Sequence, residues 1–181
     1  VLRTSLTKST RWLLPVLAII LSGCGLTQSV SDGTKSAFSA VFYKKIKVLH
    51  LDFTAREALN IDARENNSLS ESVVVRIYQL KDIKTFERSV YQQLLNDGET
   101  TLGADLLATR DVVVKPGGDA LLNMPMEEEA KYVAVVGLFR HPDMHTNSWK
   151  LTIDREALDP DKARVIEAGN NQLMLLPLKD K

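Results

Sequence analysis

Apolar and polar residues alternate along most of this chain, and from Lys45 the period is two. Ile46, Val48, Leu51 and Phe53 mark a first strand whose phase slips between Val48 and Leu51, as a β-bulge allows. The strongest alternation lies in Ser72 to Leu80, where Val73, Val75 and Ile77 point to one face and Val74, Arg76 and Tyr78 to the other. Further strands are predicted at Ala108 to Val114, Ala120 to Met124, Tyr132 to Phe139, Trp149 to Ile153, Ala163 to Ala168 and Gln172 to Leu176. About eight short strands predict an all-β fold, a sandwich or a barrel.

The punctuation between these runs agrees. Pro116-Gly117-Gly118-Asp119 combines a preset φ with residues free to adopt positive φ, as a tight turn between two strands requires, and Gly169-Asn170-Asn171 does the same for a last hairpin. One stretch breaks with the β period. Ser89 to Asp97 starts with Ser89 and Gln92 at capping-box spacing, carries Val90, Leu94 and Leu95 on one helical face, and meets Gly98 as a stop. It predicts a helix inserted between the second and third strands, with a turn at Asp82 to Glu87 before it and another at Leu102 to Leu107 after it.

The first two dozen residues follow neither pattern. Arg3, Lys8 and Arg11 form a basic start, Trp12 to Leu21 an apolar run, and Ser22 and Gly23 the small residues expected before a cleavage point; no acidic residue precedes Asp32. Residues 1–23 are therefore expected to be a signal peptide, and Val1 in place of Met reads as a start codon translated literally, which would make the chain a complete precursor. A bilayer-spanning helix needs roughly 20 apolar residues, and this run meets Gly23, Cys24 and Gly25 after about half of that. Leu21-Ser22-Gly23-Cys24 looks like the lipobox of bacterial lipoproteins, in which the cysteine thiol takes a diacylglyceryl group and the peptide bond before it is cut. Three acyl chains, at roughly 0.8 kcal/mol per buried methylene, make such attachment effectively permanent. In lipoproteins of this type an Asp after the cysteine tends to retain the protein in the inner membrane; Gly25 gives no such signal, and the lipoprotein resemblance therefore implies the inner leaflet of the outer membrane with the domain in the periplasm. Residues 24–40, rich in Ser, Thr, Gly and Gln, read as a lipidated start and flexible tether in which Ala37 to Phe42 could form a short helix. The folded β domain, which the family resemblance given below implies to be a β-sandwich, is then residues 41–181.

Removing residues 1–23 takes away three basic and no acidic residues and moves the formal net charge from 0 to −3. A nucleic-acid binder would show a basic face or interleaved basic and aromatic residues, and neither is present. About 158 residues remain, enough for one domain with its own core. Cys24 is the only cysteine, in keeping with an exported product that does not rely on disulfides.

Catalytic chemistry is nearly absent from the pattern. His141 and His145 have the i, i+4 spacing that could serve a metal on a helix, but Pro142, Asp143, Thr146 and Asn147 argue for a loop. Asp154, Glu156, Asp159 and Asp161 lack the spacing and the glycine of a calcium loop. The Gly117-Gly118 pair is not followed by the Lys-Ser/Thr that opens a phosphate-binding helix, and no Gly-x-Ser-x-Gly, His-Glu-x-x-His or catalytic cysteine is found. The reading is of a non-enzyme whose only bound group is the covalent lipid on Cys24.

The informative stretch is the connection between the first two strands, Arg56 to Glu71, which is long for such a link. It carries Asn60, Asp62, Arg64, Glu65, Asn66, Asn67, Ser68 and Ser70, with Leu59, Ile61 and Leu69 as apolar anchors. It is either a tolerated surface loop or a docking surface.

Taken in order after the lipobox, Ser72-Val73-Val74-Val75-Arg76-Ile77-Tyr78-Gln79-Leu80-Lys81-Asp82, Phe86, Leu94-Leu95 and Leu102-Gly103 resemble the type VI secretion outer-membrane lipoprotein family, TssJ, also called SciN or VasD. Val114-Lys115-Pro116-Gly117, Tyr132 to Arg140 and Trp149-Lys150 are similar to the family's second half; Glu71 stands where members often carry Pro. The resemblance implies a transthyretin-like two-sheet β-sandwich with a small helical insertion. It also implies a non-enzymatic role: tethering a trans-envelope complex to the outer membrane by binding the periplasmic C-terminal region of TssM, which is joined to TssL. In that family the loop between the first and second strands carries the contact, which maps onto Asn60, Ile61, Asp62, Arg64, Glu65, Asn66, Asn67, Ser68, Leu69 and Ser70. A periplasmic lipoprotein binding a small ligand or cell-wall glycan is the alternative. It would want a concave apolar pocket with convergent polar groups, and no cluster of aromatics suggests one.

Overall fold

In the computed structural model, which describes residues 45–62, 64 and 69–178, the alternating segments become eight strands. These are β1 (Val48–Ala55), β2 (Val73–Leu80), β3 (Leu106–Val114), β4 (Asp119–Pro125), β5 (Tyr132–Gly137), β6 (Lys150–Asp154), β7 (Arg164–Gly169) and β8 (Gln172–Leu175). They form two four-stranded sheets, in the orders β4-β1-β7-β8 and β3-β2-β5-β6. The pairings are antiparallel except for β1 with β7. The described residues belong to one compact unit, Lys44–Lys181. The signal-like run, Cys24 and the tether with its expected helix lie outside the described residues, as do Ala63, Glu65, Asn66, Asn67 and Ser68.

The inward rows of the two sheets make the core. Leu49, Leu51 and Phe53 of β1, Val73, Val75 and Ile77 of β2, Val133 and Val135 of β5, and Ile166 and Ala168 of β7 are all buried. This corrects the expected bulge in the first strand. β1 pairs with β4 in unbroken register from Val48 to Thr54, its inward row is Leu49, Leu51 and Phe53, and Val48 faces out. The apparent phase slip arises because Ile46 is buried before the strand begins. β5 likewise stops at Gly137 instead of Phe139. The Phe139 ring folds back over Gly137, where a Cβ would collide with it.

Between β2 and β3 come two helices, α1 (Lys84–Arg88) and α2 (Tyr91–Leu102), followed by a 3-10 turn at Gly103–Asp105. They pack on the outer face of the second sheet and bury Phe86, Tyr91 and Leu94; Tyr91 meets Trp149 edge-on, the Tyr78 hydroxyl donates to Leu94 O, and Lys150 Nζ lies over the Phe86 ring. The capping differs from the expected pair by one residue. Gln93 Oε1 accepts from Val90 N at 3.0 Å, whereas Ser89 closes α1, its hydroxyl donating to Thr85 O at 2.7 Å. Lys150 Nζ, at 3.2, 3.1 and 2.9 Å from the carbonyls of Phe86, Glu87 and Ser89, satisfies the orphaned end of α1. The stop expected at Gly98 falls at a kink between two helical stretches. The backbone leaves helical geometry at Asp97 (φ −137°, ψ 41°) and resumes, and the helix ends at Gly103, at φ 50°. What Gly98 supplies is space, because its bare Cα lies against the Tyr78 hydroxyl.

The register divides the connections between two poles. The β1–β2, β3–β4, β5–β6 and β7–β8 links share one pole; the β4–β5 and β6–β7 links, the roots of the helical insertion and the chain's entry at Lys45 to Lys47 share the other. At the entry pole Arg155, buried, donates to the carbonyls of Glu127, Glu128 and Ala130 through Nη1 and to Ile46 O through Nη2. At the loop pole Asn170 and Asn171 both take positive φ, 49° and 62°, closing β7 on β8 with the expected two-residue hairpin turn. Gly117, at φ 64°, instead turns the chain from the second sheet into the first.

Replacing Gly98 by Ala forces a methyl into the buried Tyr78 hydroxyl. Gly98→Ala is expected to destabilise the domain by about 1–3 kcal/mol, the usual cost of overpacking, read as a lower urea midpoint with unchanged slope. An unchanged midpoint would mean that the helices do not depend on this approach.

Candidate functional site

The β1–β2 loop leaves the sandwich at the loop pole as a structured segment. Leu59 is fully buried and its carbonyl accepts Glu71 N at 3.1 Å, so the two ends of the loop are bonded to each other. Asn60 follows with φ 50°, a left-handed conformation that Asn tolerates better than most residues. It is 4% exposed, and its groups are engaged. Oδ1 accepts Arg140 N at 2.8 Å, Nδ2 donates to Ser72 O at 3.2 Å, and the backbone carbonyl accepts Arg140 Nη2 at 3.1 Å. Arg140 also reaches Glu71 at 3.2 Å. From the β7–β8 turn, Asn171 Nδ2 donates to Ile61 O at 2.7 Å and Asn170 N to Ala58 O at 2.8 Å.

One step further along the loop is an ionic cluster. Asp62 accepts from Arg64 through its backbone N, Nε and Nη2 at 3.1, 3.0 and 3.0 Å, and its Oδ2 lies 2.9 Å from His141 Nε2. The Arg64 hydrogen bonds, side chain first and backbone next, hold the Asp62 carboxyl well below the usual carboxylate range. Asp62 is nearly buried while the Arg64 side chain is 74% exposed, so the cluster is a shielded carboxylate under a guanidinium that faces solvent.

The predicted site residues thus divide. Asn60 and Asp62 have their polar groups turned into the domain, Ile61 is half-buried, and Ser70 Oγ lies 3.4 Å from Leu59 N. Arg64 and Leu69, the latter 78% exposed, face outward; Leu69 is therefore not the apolar anchor expected of it, and Leu59 alone fills that role completely. Glu65, Asn66, Asn67 and Ser68 lie outside the described residues, as does Cys24. Sequence reasoning missed Arg140 and Asn171 as the supports of this loop. His141 stands with Asp62 and Arg64, not with His145, whose backbone N donates to Asp143 at 2.8 Å.

Other chemistry is sparse. Among the described residues no group of three or more His, Cys, Asp or Glu side chains is placed to hold a metal ion. A groove of about 480 Å³ lies between α2 and the β2–β3 edge, lined by Arg76, Asp97, Glu99, Arg110 and Asp111 among others. It is polar, and the Arg76–Asp111 ion pair, 2.8 Å, closes part of its wall, so it lacks the apolar lining that small-molecule sites favour.

Comparison with known proteins bears on this arrangement. The family model described as type VI secretion lipoprotein, VasD, EvfM, TssJ, matches residues 47–171. No curated protein matches the chain. Among solved structures, a chain of that of the T6SS protein TssM C-terminal domain (869–1107) from EAEC is 42% identical, covers 74% of this chain and 100% of its own, and superposes with a TM-score of 0.66. A chain of a type VI membrane complex is 43% identical, with coverage of 74% and 100% and a TM-score of 0.68. Lip of Serratia marcescens, a membrane-bound component of the type VI secretion system, shares the fold at 21% identity, covering 72% of this chain and 98% of its own with a TM-score of 0.63.

A carboxyl whose native pKa is depressed adds stability that is complete above the unfolded value, about 3.9, and is lost as pH falls through the native one. Asp62→Asn is therefore expected to melt below the parent by a steady margin from about pH 8 to 5, narrowing below about pH 4. A margin that holds down to about pH 2.5 in thermal melts would take the Asp62 charge out of the cluster.

Proposed function

The chain belongs to the type VI secretion lipoprotein family, and from that premise we propose that it anchors the system's trans-envelope assembly to the outer membrane. In this reading Cys24 carries the acyl chains and the β1–β2 loop binds the periplasmic C-terminal region of a TssM-type partner, itself joined to TssL. The observation that carries the reading is the polarity of the domain. The chain enters at Lys45 to Lys47 on one pole, and the loop, with Arg64 and Leu69 exposed, stands at the other. An anchor upstream of Lys45 then holds the entry pole and leaves the loop pole free for a partner reaching up from the inner membrane. The chains 42% and 43% identical to this one, from structures of a TssM C-terminal domain and of a type VI membrane complex, support a TssM-type partner.

The loop divides the work. Asn60 and Asp62 hold its base, Ile61 and Ser70 flank it, and the exposed Arg64 and Leu69 mark the crest that would meet the partner. A fixed base matters because side chains and backbone that are already ordered lose less entropy on binding. No catalytic step is required. Confinement to a membrane surface raises the effective concentration of the partner, and several copies in one assembly add avidity, so each single contact can be of moderate strength.

The test is binding of the detergent-solubilised full chain to a purified periplasmic C-terminal region of TssM. Exchanging Glu65-Asn66-Asn67-Ser68 for Gly-Ser-Gly-Ser keeps the loop's length and its base, and is expected to weaken binding by more than about tenfold with an unchanged melting temperature. Failure of the intact, folded chain to bind would remove this role and bring forward the alternative of a ligand- or glycan-binding lipoprotein. Cys24→Ser is expected to move the protein from the membrane fraction to the soluble one; a variant still sedimenting with outer membranes would rule out lipid on Cys24 as the anchor.

A further inference from the structure

The β5–β6 loop, residues 138–149, is tied down at base and tip. At the base Phe139 and Trp149 are buried, Leu138 N donates to Val74 O at 2.9 Å, and Ser148 O accepts Leu173 N at 2.7 Å. At the tip the Asp143 carboxylate accepts from His145 N, Thr146 N and Thr146 Oγ1 at 2.8, 3.3 and 2.7 Å. Asn147, at φ 54°, accepts Trp149 Nε1 at 3.3 Å. A turn bonded in this way has little freedom left, yet it displays Met144, 52% exposed.

This loop is also fastened to the β1–β2 loop. Arg140 N and Nη2 donate to Asn60, Arg140 Nη1 meets Glu71, and His141 Nε2 meets Asp62. Whatever docks on one loop therefore finds the other held in a fixed relation to it. An unbranched thioether adapts to an irregular apolar surface. Offering it from an ordered turn lowers the entropy lost when it is buried.

We propose that the β5–β6 loop is a second contact element for the partner of the β1–β2 loop, seating Met144 in an apolar socket on that partner. The inference rests on the function proposed above and adds a residue that the loop resemblance does not assign. Binding energy at interfaces concentrates in a few side chains that lose their water; Met144 is such a side chain here, and the polar Asp143, His145 and Thr146 around it supply the rim.

The experiment uses the full chain in detergent and the purified periplasmic C-terminal region of TssM, with dissociation constants measured for the parent, Met144→Ala, Met144→Glu and Leu121→Ala. Leu121, 70% exposed on the outer face of β4, is the control for loss of any exposed apolar group. Met144→Ala is expected to weaken binding about tenfold and Met144→Glu further, with Leu121→Ala and all melting temperatures unchanged. Parent-like binding by both Met144 variants, while the Gly-Ser exchange in the β1–β2 loop abolishes it, overturns this inference and leaves the proposed function standing. Absence of binding by the parent overturns both.

Discussion

A long polar loop at the end of a sandwich has to find partners for its backbone where two sheets stop supplying them. Asn60 meets that constraint here. It takes a left-handed step within the loop, is almost wholly buried, and accepts from Arg140 twice while donating to Ser72. A buried donor or acceptor left unmade costs about 1–3 kcal/mol, so the position of Arg140, and with it the path of the β5–β6 loop, depends on the shape of the β1–β2 loop. The Asp62 cluster and the Asn171 bond to Ile61 extend the same arrangement outward.

The entry pole answers an equivalent constraint with different residues. Gln79 lies on the inward row of β2 and is fully buried. Its Nε2 donates to Pro125 O at 2.8 Å and its Oε1 accepts Glu127 N at 2.7 Å, which joins the second sheet to the end of β4 in the first. Arg155 gathers the β4–β5 turn and Ile46 by carbonyl contacts. Hydrophobic burial between these poles is generous and non-directional; the polar ties are directional, and they fix how the sheets meet and where each loop begins. The proposed anchor and docking loop, at opposite poles, would need that rigidity between them.

How far the residues alone could lead follows from the same distinction. Period-two alternation in Val73 to Ile77 is a local signal, and it placed the strand and its buried face correctly. The Asn170-Asn171 turn was legible because positive φ selects for such residues. The misreadings came where one local signal had two meanings. Gly98 reads as a helix stop but marks a kink after which the helix resumes, and Tyr78 lies against it; Ser89 reads as a helix start but closes the preceding helix. Nothing in the chain announces that Arg140 belongs to Asn60, 80 residues away, or that Asn171 belongs to Ile61. Such pairs have no period and no spacing, so only the fold brings them together.

The division of the β1–β2 loop into a held base and an outward crest has a consequence for how such a site can change. Substitutions at Asn60 or Asp62 disturb bonds internal to the domain and alter the loop's path as well as any contact it makes. Substitutions at Leu69, whose side chain is mostly in solvent, would alter contact chemistry with little cost to folding, whereas Arg64, exposed yet bonded to Asp62, belongs to both parts. If the loop docks a partner as proposed, it could track a changing partner through its crest while its geometry stays fixed by the base. Because the proposed acyl anchor would supply permanence and confinement would supply concentration, the crest would be released from the need for extreme affinity. Its residues can then be chosen for fit to one partner.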